Sequence, residues 1–321
     1  MNVRNFMKYG LAAVALATTL IGCGGGDDDD NPPMTMQPNI AEVAKTQGFT
    51  ALLAAATKAG INNTLTDANA RLTVFAPTDA AFADLAKRLG FADANAMVTA
   101  LPAGALQSIL TYHVLGTKKM AADLKAGGAT QATAYSYANA PASLAFDFTN
   151  GVKITDAALT TATVVTADVP ASNGVIHAID KVLVPPGVLN VVQMAQVNPN
   201  FSSLVGAVVA ADLQGTLSGT GPFTVFAPTN AAFAAAPQNL TTPQLRTVLT
   251  YHVLGSQVLS TQIPFGTPVP TVAGQTLVIK AGTPPTIRDT TAVEAKIVAV
   301  DVRASNGVIH VVDKVLIPAL Q

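Results

Sequence analysis

Apolar positions change their period along the chain, and they do so twice in the same order. Phe49, Leu52, Leu53 and Ala56 stand at i, i+3, i+4 and i+7, with Gly60 placed to close the end. This spacing predicts an amphipathic helix with a glycine stop. Phe201, Leu204, Val205 and Val208 repeat the stripe. Leu106, Ile109, Leu110 and His113 predict a second helix, mirrored by Leu245, Val248, Leu249 and His252. Between the stripes, Leu72–Phe75 reads as a short buried strand broken by Pro77. Asp79, and Asn230 in the second stretch, is placed to N-cap the helix that follows. The later part of each stretch alternates instead. Leu144, Phe146 and Phe148 lead to Asn150-Gly151 and then Val152 and Ile154, a hairpin signal. Asn173-Gly174 precedes an apolar run from Val175 to Val184, and Asn306-Gly307 precedes one from Val308 to Ile317. Runs apolar on both faces belong inside a layered core. Helices first and strands later predict an α+β fold.

The repetition extends to whole motifs. Leu72-Thr-Val-Phe-Ala-Pro-Thr-Asp-Ala-Ala-Phe82 returns as Phe223-Thr-Val-Phe-Ala-Pro-Thr-Asn-Ala-Ala-Phe233. Tyr112-His-Val-Leu-Gly116 returns at Tyr251, and the block from Asp168 to Pro185 returns from Asp301 to Pro318. The offsets shrink from 151 to 139 to 133 residues, so the second copy is shorter in two places. Two long copies make a tandem pair of domains, not a solenoid. Copy one is placed at residues 39–186 and copy two at 187–321. The junction Pro185-Pro186-Gly187 is short and stiff, which favours a restricted arrangement of the copies.

These three motifs, each present twice and in order, resemble those of the fasciclin family. The resemblance covers nearly everything from Asn39 onward. It implies two tandem domains, each a wedge-like β-sandwich carrying a helical lobe, and a role in adhesion or cell–matrix association. In animal members a tyrosine–histidine pair and an acidic Asp-Ile motif have been proposed as integrin contacts. Tyr112-His113 and Tyr251-His252 match the first, and Asp168-Val169 and Asp301-Val302 stand in the place of the second. The Glu-Pro that precedes the acidic motif in some animal members is replaced by Thr166-Ala167 and Ala299-Val300, and no Arg-Gly-Asp occurs.

The N-terminus carries a different signal. Arg4 and Lys8 precede an uncharged apolar run from Gly10 to Ile21, the layout of a secretory signal. Leu20-Ile21-Gly22-Cys23 then resembles the bacterial lipobox, and Cys23 is the only cysteine of 321 residues. The expectation is a lipoprotein signal over residues 1–22 and lipidation at Cys23. Several acyl chains would hold the protein stably on a membrane. Gly24 rather than Asp after the cysteine favours, by the same resemblance, the outer membrane, with the chain on the cell surface or the periplasmic face. Residues 23–38, with Gly24–Gly26 and Asp27–Asp30, read as a disordered tether.

Composition narrows the chemistry. The net charge of −1, charged residues at 12% and the absence of tryptophan give no basic or stacking surface for nucleic acid. A lone cysteine excludes intramolecular disulfides and cysteine zinc sites. No phosphate loop is present, and no cofactor is expected. Ser172, His177 and Asp180, repeated as Ser305, His310 and Asp313, have the residue types of a catalytic triad. On an extended strand, however, positions three apart point to opposite faces, and no Gly-x-Ser-x-Gly elbow presents the serine. The remaining candidates for interaction or structure are Tyr112, His113, Asp168, Asn173 and His177 with their partners Tyr251, His252, Asp301, Asn306 and His310. His113 and His252 fall on apolar stripes, which predicts burial with hydrogen-bonded rings. Copy one's extra segments, around Gly90–Ala100 and Lys118–Ser143 with Tyr135 and Tyr137, read as solvated loops or as a partner surface. The expected function is a non-enzymatic, lipid-anchored envelope protein. Its partners would be the membrane and a cell-surface or matrix protein or polysaccharide. The alternative is a periplasmic or outer-membrane module that binds a small molecule or polymer.

Overall fold

The computed structural model describes residues 37–237 and 240–320. The signal segment, Cys23 and Asp27–Asp30 lie outside them. In copy one, strands β1 (Leu72–Pro77), β2 (Val114–Leu115), β3 (Thr130–Tyr137), β4 (Ala140–Asp147), β5 (Lys153–Thr155), β6 (Thr161–Ala171) and β7 (Gly174–Ile179) are joined in the order β2-β1-β7-β6-β5-β4-β3. Copy two repeats the topology with β8 (Phe223–Pro228), β9 (Val253–Leu254), β10 (Pro268–Pro270), β11 (Thr276–Lys280), β12 (Thr286–Arg288), β13 (Ala295–Ala304) and β14 (Gly307–Val312). The central pairs β1–β7 and β8–β14 are parallel. Strand β6 slips register between Val164 and Thr166 and again between Thr166 and Val169, and β13 slips at the matching places. Such bulges bend and twist a strand. They fold each sheet back on itself into a barrel-like sandwich.

The central strands are buried on both faces. Val74, Ala76, Ile176 and Ala178 face the helices, while Phe75 and Ile179 pack with Leu144, Phe146 and Ile154 of the far sheet. This is why the run after Asn173 carries no polar alternation. The strand itself stops at Ile179. The apolar residues Val182 and Val184 beyond it leave the ladder and enter the core cluster shared with copy two.

The helices form where their caps permit. Asn39 with Glu42, Asn190 with Gln193 and Thr241 with Gln244 make reciprocal capping boxes. The helix Thr50–Ala59 ends at Gly60, whose φ of 72° suits glycine. Asp79 does not cap its helix. Thr78 does, accepting from the Ala81 amide, and Thr229 takes the same role in copy two. Asp79 instead accepts from the Ala51 amide at 2.9 Å, and Asn230 accepts from Ser203 at 2.9 Å.

Copy one's additions are not solvated loops. Ala94–Ala100 is a helix that buries Met97 and Val98. The second segment is a helix, Ala121–Ala126, followed by the β3–β4 hairpin, whose strands are longer than the β10–β11 pair of copy two. That hairpin braces the junction. Tyr135 donates its hydroxyl to the Pro186 carbonyl at 3.0 Å. The Tyr137 ring lies so close to Gly187 that a Cβ there would sit 2.2 Å from it. Gly187, at φ 76°, donates its amide to the Arg303 carbonyl of copy two at 3.0 Å. One apolar cluster runs from Ile40 of copy one to Val311 of copy two. No helix of the described residues is long and apolar enough to cross a membrane.

Candidate functional site

The repeated polar residues are bound inward. His113 ends its helix with the ring covered. Its Nδ1–H donates to the Ile109 carbonyl at 2.7 Å, and its Nε2 accepts from the Leu183 amide at 2.8 Å. His252 does the same with Val248 and Leu316, both at 2.8 Å. Burial drives both imidazoles down to about 4, although the carbonyl bond favours the cation. Each is thus a neutral staple between a helix end and the chain leaving the central strand. The neighbouring tyrosines are buried too. Tyr112 donates to the Ser143 carbonyl at 3.0 Å and Tyr251 to Thr276 at 2.9 Å. Burial raises both phenols, and the carboxylates of Asp156 and Asp289 add to the rise.

His177 and His310 sit wholly buried on the central strands. Each donates through Nε2 to a backbone carbonyl, of Lys119 at 3.0 Å and of Val258 at 2.9 Å. Each accepts through Nδ1 from the amide of the aspartate on the bulged strand, Asp168 at 3.1 Å and Asp301 at 3.3 Å. Burial lowers His310. Asp168 and Asp301 have φ of 59° and 60°, so the bulge holds them in the left-handed region. Their carboxylates accept from the chain beyond the short second strand, Asp168 from the Ala121 amide and Asp301 from both the amide and hydroxyl of Ser260. Burial works against ionisation of Asp301, but the two Ser260 bonds outweigh it and hold its carboxyl low. The acidic motif therefore organises a bulge.

Asn173 and Asn306 are clasps. The Asn173 side chain accepts from Ile40 and donates to the carbonyls of Leu65 and Asp67, all within 3.0 Å. Asn306 accepts from Val191 and donates to Leu217 and Gly219. Each fixes the domain's first helix onto its last hairpin.

The serine–histidine–aspartate pattern does not assemble. Asp180 accepts from the Thr163 amide and Asp313 from the Lys296 amide, while His177 and His310 bond elsewhere. Among the described residues no cluster of three metal-ligating side chains occurs. Among the described residues no buried side-chain nitrogen or oxygen lacks a partner.

One pair was not singled out from the sequence: Asp156 and Asp289. They stand 133 residues apart, the offset of the last motif block, which is the signal that aligns them. Asp156 accepts from the amides of Ala158, Thr160 and Val184 and the Thr160 hydroxyl, at 2.8–3.0 Å. Burial lifts its carboxyl to about 6 despite these four donors. Asp289 accepts from Thr291 and Ile317 and pairs with Lys314. Burial pushes it up, but Lys314 and the other donors hold it below the usual range.

Comparison with known proteins agrees with the doubled architecture. The fasciclin domain family matches at residues 47–185 and 199–318. Protein sll1483 of Synechocystis sp. is 42% identical over 142 residues, covering 41% of this chain and 75% of its own. The transforming growth factor-beta-induced protein ig-h3 of Sus scrofa is 33% identical over 254 residues, covering 77% of this chain. The match spans only 34% of that longer relative. Among solved structures, a FAS1 domain pair from the insect cell adhesion molecule fasciclin I covers 87% of this chain and 98% of its own. It does so at 19% identity and a TM-score of 0.42. The motifs, the doubled fold and the two matched regions establish that the chain belongs to the fasciclin domain family.

Proposed function

We propose that the protein is a non-enzymatic, lipid-anchored envelope protein that acts in adhesion or cell–matrix association through the outer surfaces of its two domains. Cys23 would carry the lipid at the outer membrane, and residues 23–38 would hold the domains away from it. The observation that carries this reading is the commitment of every histidine. All four rings are buried and bonded to backbone through both nitrogens. None is left to move a proton or hold a metal, so recognition falls to the exposed faces. Both copies expose the same valine on the bulged strand, Val165 at 56% and Val298 at 54%.

Protease shaving of intact cells tests the reading. With an antibody to copy two and a periplasmic control, loss of the protein while the control survives supports surface adhesion. Survival of both until the outer membrane is opened overturns it. On a surface-exposed chain, the pair Val165→Lys and Val298→Lys is expected to reduce adhesion. Stability should stay within about 0.5 kcal/mol, the usual range for surface changes.

A crevice of about 260 Å³ at the junction, lined by Tyr137, Pro141, Pro186 and Arg303, favours the second reading, a module for a small molecule or polymer. A ligand that raises the melting temperature of the whole chain, and fails to do so in Arg303→Ala, would bring that reading forward.

A further inference from the structure

Asp156 sits at the place where copy one holds copy two. Its carboxylate gathers the turn from Asp156 to Thr160 and the amide of Val184, the residue that leads into the junction. The Ala157 amide donates back to the Val184 carbonyl, so turn and junction are zipped together. The same turn presents its Ala158 carbonyl outward, and Asn198 of copy two donates to it at 2.9 Å. A buried carboxylate thus shapes the surface on which the second domain is seated.

No ion pair of the described residues includes Asp156. The charged and titratable groups around it come from several elements. Burial raises the Tyr112 phenol and the carboxylate adds to the rise, and His113 holds the Leu183 amide next to Val184. Asp84, Arg88 and Lys181 line a small crevice with Thr160 and Val184. Arg303 lines the junction crevice with Ala157 and Tyr112. In copy two the equivalent carboxylate, Asp289, has Lys314 as its cation.

We propose that Asp156 and its turn form a proton-sensitive clasp, in which protonation of this one carboxylate tightens copy one's hold on copy two. The proton has a place to go. The Thr160 hydroxyl, which donates to Oδ2 in the ionised state, turns to accept from the new O–H, and the three amides keep their acceptors. The clasp then holds no uncompensated charge away from water. The sign follows from linkage. Burial raises the folded carboxyl to about 6 against an ordinary 3.8, so the folded turn binds the proton more tightly than the opened one. Protection of the turn therefore rises as pH falls from 7 towards 5. His113 titrates lower, near 4, and His252 does too, so the clasp responds before the staples protonate.

The test is hydrogen exchange on the full chain at pH 7 and pH 5, corrected for intrinsic exchange rates and read at Thr160 and Val184. Protection is expected to increase about tenfold at the lower pH, the factor for one unit below a midpoint near 6. The rise should vanish in Asp156→Asn, whose amide does not titrate. Unchanged or falling protection in the natural chain overturns the proposal, as does an equal rise in Asp156→Asn. If Asp156→Asn fails to fold, Thr160→Val decides. Without the hydroxyl to receive the proton, the rise should shrink, and a full rise in that variant also overturns the proposal.

Discussion

Copy one and copy two place the same carboxylate at the same turn and treat it in opposite ways. Asp289 has Lys314 against it, and its carboxyl is held low. Asp156 has four hydrogen-bond donors and no cation, and its carboxyl rises to about 6. The main chain around the two is alike: Val184 and Ile317 donate to the carboxylate, and Ala157 and Thr290 donate back. What differs is the side facing outward. Copy one's turn is covered by Asn198 and the start of copy two. Thr290 of copy two spends its hydroxyl on its own chain, at the Ile317 carbonyl. Hydrogen bonds offset part of an anion's removal from solvent, and at Asp289 a cation adds to them, whereas at Asp156 burial outweighs the four donors. Seating a second domain on the turn removes the water.

The comparison is broken most severely at the asparagine clasps. Asn173→Ala strands one amide and two carbonyls between the first helix and the last hairpin. A cost of about 3 kcal/mol is expected, since each orphaned buried group costs about 1–3 kcal/mol and water reaches some of them. Asn306→Ala should cost about the same by chemical denaturation. If the two copies are one cooperative unit, joined through the shared core, either variant lowers a single transition. Two separate transitions would show that the copies unfold apart.

The histidine staples come next. His113→Ala and His252→Ala should each cost about 2 kcal/mol, for the loss of one bond to a helix carbonyl and one from a buried amide. Their pH dependence is of the opposite sign to that of Asp156. Each folded imidazole lies near 4 against an ordinary 6.5. The stability each carries is complete above about pH 6.5 and is lost as pH falls towards 4. Copy one sets Asp156 against this loss. In copy two the low carboxyl of Asp289 adds nothing in that window, and His310 is also lowered. Acid is therefore expected to loosen copy two first, which residue-resolved exchange at pH 5 would read directly. Equal loosening would mean that Asp156 does not titrate in that range.

The doubled fold was legible because its carriers are periodic or repeated. Leu52, Ala56, Leu106 and Leu110 face one core, and the apolar run after Asn173 belongs to a strand with no solvent face. Burial of the histidines was legible too, since His113 and His252 stand at the end of apolar stripes. The cap at Asp79 was misread because two side chains compete for the position. Thr78 reaches the Ala81 amide, while Asp79 bridges to Ala51, a contact between helices that no local pattern reports. The hairpin with Tyr135 and Tyr137 looked like surface because its partners, Pro186 and Gly187, lie about fifty residues away. The repeat offset aligns Asp156 with Asp289, but its burial was hidden for the same reason. Nothing beside it in sequence marks it as buried, and its fate depends on a domain that begins thirty residues later.

The smallest expected effect is also the sharpest comparison. Lys314→Met removes the cation from Asp289 and keeps a chain of similar length over it. Asp289 then keeps only its donors from Thr291 and Ile317, which is close to the situation of Asp156. Lys314 is partly exposed, so water can replace part of what it supplied, and a cost of about 1 kcal/mol at neutral pH is expected. The direction of titration is more informative than that cost. If the lysine alone separates the two copies, the Asp289 carboxyl in a carbon-detected titration should move upward, towards that of Asp156. Part of the lost stability should then return on acidification. If the carboxyl stays low, the cation is not what distinguishes the copies, and the cause is the domain seated on the Asp156 turn. A Lys314→Met protein that titrates between the natural Asp289 and Asp156 would divide the difference between the absent cation and the covering domain.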